Sequence, residues 1–357
     1  MTSPSFWQNR RVFLTGHTGF KGAWLALWLT ELGAKVTGFA LPPEHASCLA
    51  ARVGLDSRCS SVLADIRDLP TLRAAMTAAA PEVVFHLAAQ SLVRRSYRDP
   101  VGTFATNVMG TVHCLEALRG VPSARAAVIV TSDKCYENNG LKHVFREGDP
   151  VGGHDPYSSS KGCSELAAAA YRSSFFIGDS ACRIATARAG NVIGGGDMSE
   201  DRLVPDAIMA FSAGRSLEIR APSATRPWQH VLESLHGYLL LAEHLAGAGG
   251  EKHAEAWNFG PPEAACQPVS AIVDRLAARW GEGATWHLSD GDHPHEAATL
   301  AIDATKARHR LGWLPRLPLD AALDWTVDWH RAVLQGQDAA AVCTRQIAHY
   351  RALPGLA

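Results

Sequence analysis

Short apolar runs alternate with helix-length segments through the first half of the chain. The runs at 11–16 (RVFLTG), 34–41, 59–66, 81–89 and 124–132 read as successive strands, several of them apolar at nearly every position. A strand buried on both faces has that pattern, whereas a strand with one wet face alternates. Between the first two runs lies GAWLALWLTELG (22–33), a helical segment that stops at Gly33, where a left-handed residue can close it. Strands alternating with helices predict an α/β fold with a doubly wound parallel sheet and right-handed crossovers. After ARAGNVIGGGD (187–197) the rhythm gives way to loops rich in Gly, Pro and Arg with short helices. The expected division is a first domain over 1–190, with 228–262 returning to it, and a smaller mixed lobe from 191–227 and 263–357. The returning part holds the helical HVLESLHGYLLLAEHLA (230–246) and the strand-like AWNFG (256–260).

Composition narrows the classes of function. The 357 residues suffice for more than one lobe at about 150 residues per domain. A net charge of −1, without a basic tail or acidic block, argues against nucleic acid or an anionic membrane as partner. No apolar run approaches the roughly 18–20 residues of a membrane span, and the first residues carry no apolar leader core. The eight cysteines are scattered, with no CxxC pair and no zinc-like spacing, so they read as buried thiols in a reducing compartment. A cytoplasmic enzyme or binding protein without a metal site is the expectation. DHPHE (292–296) is dense in histidine but lacks surrounding carboxylates, and reads as a solvated loop. Trp24, Trp28, Trp313, Trp325 and Trp329 read as core.

Chemistry enters with TGHTGFKG, which sets Gly16, Gly19 and Gly22 directly after the first strand and at the head of the first helix. Glycines there allow a tight turn and let a pyrophosphate approach backbone N–H groups at a helix N-terminus, as in Rossmann-type dinucleotide sites. The second strand ends in GFALPPEH, without the acidic residue that commonly holds the adenosine ribose; Glu44 comes late, and no Arg stands there for a 2′-phosphate. NAD and NADP are therefore not separated by this motif. Asp65 and Ile66, at the end of the third strand run, are placed to hold the adenine.

The fifth strand run ends on Ser132, Asp133 and Lys134, a hydroxyl, a carboxylate and an amine together. DPYSSSKGCSEL opens a helix with Tyr157 and Lys161 four apart, on one face. A phenol titrates near 10 when unperturbed, and a neighbouring ammonium favours the phenolate, which would bring it toward a useful range. Beside a nicotinamide, Ser132, Tyr157 and Lys161 suit hydride transfer at a carbinol carbon.

These residues, with HLAAQ (86–90), TNVMGT (106–111), RPWQHVLESL (226–235) and WNFGP (257–261), resemble the extended short-chain dehydrogenase/reductase family. Within it the likeness is to dehydratases of nucleotide-activated hexoses, and it runs from about residue 7 to KARHRLGWLP (306–315). The resemblance implies NAD as cofactor, held by Gly16, Thr18, Gly19, Phe20 and Gly22 at the turn and by Leu87, Ala88, Ala89 and Asn107 beyond it. Asp65, Ile66, Tyr157 and Lys161 would complete that site. It implies a CDP-hexose substrate, contacted by Gln90, Arg95, Asn191, Arg202, Arg220 and Arg226, with the latter three arginines suited to phosphate. It also implies a homodimer or dimer of dimers, pairing through two helices per subunit, and a place in deoxysugar supply such as that for lipopolysaccharide O-antigen.

The implied reaction oxidises C4, eliminates water across C5 and C6 and returns the hydride to C6. Asp133 would give the departing C6 hydroxyl its proton if burial keeps the carboxyl protonated. Lys134, where dTDP-glucose enzymes carry Glu, either removes the C5 proton or forms an ion pair with Asp133. Arg202 and Arg220 are anion ligands or surface arginines. Two rival activities use the same residues differently. A 4-epimerase or ketoreductase needs no Asp133, and a non-catalytic dinucleotide sensor needs no Tyr157.

Overall fold

Seven strands form one parallel sheet: β1 (Arg11–Thr15), β2 (Lys35–Ala40), β3 (Ser60–Leu63), β4 (Val83–His86), β5 (Ala126–Val130), β6 (Arg183–Ala189) and β7 (Ala256–Phe259). This computed structural model describes residues 2–356 apart from 141–142, 179–181, 282 and 291–298. The DHPHE segment therefore lies outside the described residues. In the sheet the strands run β7-β6-β5-β4-β1-β2-β3. All six pairings are parallel. Each of the five strand-like runs supplies a strand, and AWNFG returns as β7 on the edge beside β6. A one-turn helix, Pro4–Trp7, precedes β1 and was not foreseen.

The apolar continuity of the strands has the expected cause. Val12, Leu14, Val83, Phe85, Ala126 and Val128 face one layer, while Phe13, Val84, Ala127 and Ile129 face the other. The helices that cover these faces are α1 (Phe20–Glu31), α2 (Leu69–Ala79), α3 (Gly110–Leu118) and α4 (Pro156–Phe175). They are followed by α5 (Leu203–Ser212), α6 (Val231–Ala246), α7 (Val269–Trp280), α8 (Leu319–Leu334) and α9 (Ala339–Ala352). Helices α1 and α6 pack on the first layer and α2, α3 and α4 on the second. Helix α1 is buried from Gly22 to Leu29 and gives way to Gly33 at φ +82°, the left-handed stop expected of it. Trp24, Trp28, Trp313 and Trp329 are buried in that core, and Trp325 is packed against it. Four cysteines are buried and four (Cys48, Cys59, Cys163, Cys266) only half so, a correction to the reading of all eight as buried.

Beyond β6 the chain makes small pairings. Thr225–Pro227 runs antiparallel to Cys266–Pro268, and Leu217–Ile219 runs parallel to Trp286–Leu288. These join the two stretches assigned to the smaller lobe. The order of the large sheet reverses between β1 and β4, and in such sheets the crevice beyond the strand carboxyl ends receives the ligand. Phe85 of β4 is fully buried at that point. Phe85→Ala should cost about 3–5 kcal/mol of stability, read from urea unfolding.

Candidate active site

At the end of β1 the chain turns at Gly16, whose φ of +78° and approach to Ala88 leave no room for a Cβ, which would lie 2.7 Å from the Ala88 nitrogen. Thr15 Oγ1 accepts from the N–H groups of Leu87 and Ala88, both at 3.2 Å, so the HLAA segment is fastened to the turn. His86 is satisfied by Thr15 and Thr111 on its two nitrogens, and burial pushes it down to about 3. Gly19 caps α1 with no side chain bonded to the first-turn amides. A Cβ on Gly19 would meet nothing but Gly16 O, at 3.4 Å, so the outer side of the turn is open. An uncapped helix N-terminus facing open space fits a diphosphate.

The adenosine end is less as expected. The Asp65 carboxylate is taken by Arg67, at 2.6 Å, while Ile66 is buried beside α3. The His17 ring covers Gly38 of β2 and bonds Ser61 of β3 at 2.7 Å, filling the place beside the second strand where the acidic residue was sought. Glu44 is exposed and pairs with Arg95 at 3.3 Å.

Ser132, Asp133, Tyr157 and Lys161 are all buried at the head of α4 and the end of β5. Asp155 caps α4 through Ser158 N at 2.9 Å, and Tyr157 N donates to Ser96 Oγ at 3.2 Å, which fixes the first turn. The Lys161 amine reaches Val130 O at 3.5 Å. Burial pushes the Tyr157 phenol up to about 12, with a hydrogen bond from Ser132 and the charge of Arg202 pulling it back. That corrects the expectation of a phenol brought toward neutrality, since burial outweighs every nearby charge. Burial likewise pulls Lys161 down to about 8 against the pull of Glu165.

The Asp133 carboxyl is raised, chiefly by burial, against the charges of Lys134, Arg226 and Lys21 and the Ser132 hydrogen bond. Oδ1 accepts from Ser132 Oγ at 3.0 Å, and Oδ2 is buried with no hydrogen-bond partner among the described residues. Lys134 is half-buried, and its charge opposes the upward shift of Asp133.

The proposed substrate ligands fall into two sets. Arg226 is buried with its charge on Asp133, Arg202 acts on both Tyr157 and Lys21 although it also pairs with Asp197 at 3.1 Å and donates to Ser91 Oγ at 2.9 Å, and Asn191 is half-buried beside β6 with its carbonyl held by Gln229 N. Arg220 pairs instead with Asp201 at 3.2 Å, and Arg95 with Glu44. Gln90 spends both amide ends inside its own loop, on Leu92 and Thr103, and Asn107 bonds Gln90 and Ser160, so these two shape the crevice wall.

One residue was missed. Lys21, inside TGHTGFKG, turns its amine inward to Tyr238 OH at 3.2 Å, where burial and Arg202 pull it down to about 7 and Asp133 pulls it back. The quoted motif contained it, but only its glycines, Thr18 and Phe20 were given a part.

The family model for GDP-mannose 4,6 dehydratase matches residues 13–324. The chain belongs to this family. It is 48% identical over 354 residues to CDP-glucose 4,6-dehydratase of Salmonella typhimurium, covering 98% of each chain. It is 27% identical over 334 residues to dTDP-glucose 4,6-dehydratase of Xanthomonas campestris pv. campestris, covering 89% of this chain and 92% of that one. In fold it is similar to the UDP-glucose 4-epimerase of Thermotoga maritima, with a TM-score of 0.77 at 22% identity over 90% and 99% of the two chains. The UDP-glucuronic acid 4-epimerase of Bacillus cereus, solved with UDP-glucuronic acid and NAD, gives the same TM-score, identity and coverage.

The raised carboxyl of Asp133 has a measurable sign. Its folded value lies above that of an unfolded chain, about 3.9, so ionisation opposes folding progressively as pH rises from there through the folded value. Asp133→Asn should therefore raise the thermal unfolding midpoint at about pH 7, with the gain vanishing toward about pH 4. Equal midpoints at neutral pH would contradict the burial described.

Proposed function

We propose that the protein dehydrates CDP-D-glucose to CDP-4-dehydro-6-deoxy-D-glucose with NAD, as a hydro-lyase. The observation that carries this reading is Asp133 Oδ2, a buried carboxyl oxygen with no hydrogen-bond partner among the described residues, on a carboxyl that burial shifts toward its protonated form beside the Ser132–Tyr157–Lys161 group. The relative at 48% identity supports the choice of CDP as nucleotide and of dehydration as reaction.

The open turn at Gly16–Gly19 and the amides of α1 would hold the cofactor diphosphate, and Lys161 the nicotinamide ribose. Bound there, NAD would supply a hydride acceptor for C4 that can return the hydride to C6, and a positive ring charge that would favour the Tyr157 phenolate. Tyr157 accepts the C4 hydroxyl proton through its contact with Ser132. The C4 ketone then acidifies the C5 hydrogen, and Asp133 protonates the C6 hydroxyl as it leaves as water. Lys134 is the nearest amine in sequence for the C5 proton, and Lys21 shares the same charge environment. Arg226 and Arg202 are suited to the sugar diphosphate, whose two negative charges complement a pocket rich in cations. A 4-epimerase needs no acid at C6, so a buried carboxyl shifted toward its protonated form counts against that rival.

The helix α4 exposes Leu166 (60% exposed) and the segment Pro100–Met109 exposes Val101 (78%). Exposed apolar side chains on both helices support a homodimer through them, and Leu166→Glu with Val101→Glu should give monomers in sedimentation.

The decisive experiment mixes the protein, NAD and CDP-D-[4-2H]glucose. Deuterium should reappear at C6 of a product lighter by one water, by mass spectrometry and NMR. A product retaining its water would overturn the reading. Tyr157→Phe should lower kcat by about 10²–10⁴-fold with the fold intact.

A further inference from the structure

Glu165 lies on α4, one turn beyond Lys161 and two beyond Tyr157, and is buried. Its Oε1 accepts from Thr131 Oγ1 at 2.5 Å, and Thr131 directly precedes Ser132. Its Oε2 accepts from Thr186 Oγ1 at 2.7 Å and from Arg188 Nη2 at 2.8 Å, both residues of β6. Arg188 donates in turn to Tyr136 OH at 2.8 Å and to Glu147 O at 3.2 Å. A helix packed on a sheet by apolar contact alone can slide, whereas a carboxylate gripped by three donors from two strands cannot do so without leaving a buried charge unpaired.

We propose that Glu165 is the positioning residue of this active site: its carboxylate, one helical turn from Lys161, fixes the Tyr157–Lys161 helix in register with the strand end bearing Ser132 and Asp133. The inference rests on the role proposed above for the Tyr157–Lys161 pair. The groups facing Lys161 come from every surrounding element. They are Glu165 on its own helix, Cys135 in the turn after β5, the Val130 carbonyl, Lys21 on α1 and His86 on β4. Cys135 is held as a neutral thiol by burial, and Lys21 and His86 add no negative charge. Glu165 is therefore the anion that offsets the desolvation of Lys161. Arg188 and Arg172 face Glu165 from the other side, and Arg188 with Thr131 and Thr186 holds that carboxyl below its ordinary range despite burial.

The test reads Lys161 directly. Protein labelled with 13C at lysine Cε, without substrate or added cofactor, is titrated by NMR, with the Lys161 signal assigned through Lys161→Met. Glu165→Gln should lower the Lys161 midpoint by about one pH unit or more, equivalent to a tenfold loss of ammonium at a fixed pH above both midpoints. The alkaline limb of the kcat profile should move down with it while KM for CDP-glucose changes less than about twofold, and Glu165→Asp should restore part of the shift. Because Glu165→Gln leaves Arg188 unpaired, Glu165→Gln/Arg188→Met is read alongside it with the same expected displacement. A parent-like Lys161 titration in either folded variant overturns the proposal, and so does failure of both to fold, which would assign Glu165 to the core. A parent protein that does not dehydrate CDP-glucose refutes the functional reading instead, and the NMR titration still decides the coupling.

Discussion

Beneath the carboxyl ends of β5 and β6, a carboxylate and a guanidinium meet at 2.8 Å almost out of reach of water. Removing two charges from solvent is costly, and such a pair endures only if its remaining donors and acceptors are satisfied. Glu165 meets that condition with two threonines, and Arg188 meets most of it with a tyrosine hydroxyl and a carbonyl, its Nε alone having no partner among the described residues. The Tyr136 hydroxyl goes on to Asn258 Oδ1 at 2.7 Å on β7, so the bonds cross from α4 through β6 to the sheet edge. The strand ends that carry the reacting groups are thereby held from behind, leaving their front free for ligands.

In front of that anchor the charge is mostly positive. Lys134, Arg226 and Lys21 act on the buried Asp133 carboxyl, while Arg202 pairs with Asp197 at 3.1 Å and Lys161 stands one helical turn from Glu165. Burial pulls the Lys21 and Lys161 amines down to about 7 and about 8. A dinucleotide and a nucleotide sugar each bring a diphosphate, which complements such a pocket.

The fold was legible because a sheet buried on both faces writes itself as consecutive apolar runs, and the helix between β1 and β2 carries its own stop at Gly33. The burial of Ser132, Asp133, Tyr157 and Lys161 at one strand end and helix start follows from where their types and spacing place them in the chain. What could not be read was direction. Gln90 and Asn107 turn inward to build the crevice wall, and Arg95 and Arg220 turn to Glu44 and Asp201, since partners far apart in sequence decide where an amide or guanidinium points. The sign of the Tyr157 shift was misjudged because spacing reveals the nearby ammonium but not the depth of burial. Lys21 escaped for the same reason, as a lysine in a helix's first turn usually faces water.

Helix α1, whose N-terminus forms the phosphate turn, is closed over by α9, near the other end of the sequence: the Trp28 and Tyr350 rings meet edge to face at 5.6 Å, and Tyr350 bonds Glu233 of α6 at 2.8 Å. Without residues 339–352 the helix that carries the phosphate turn would keep an uncovered apolar side, so the two ends of the fold complete one layer together.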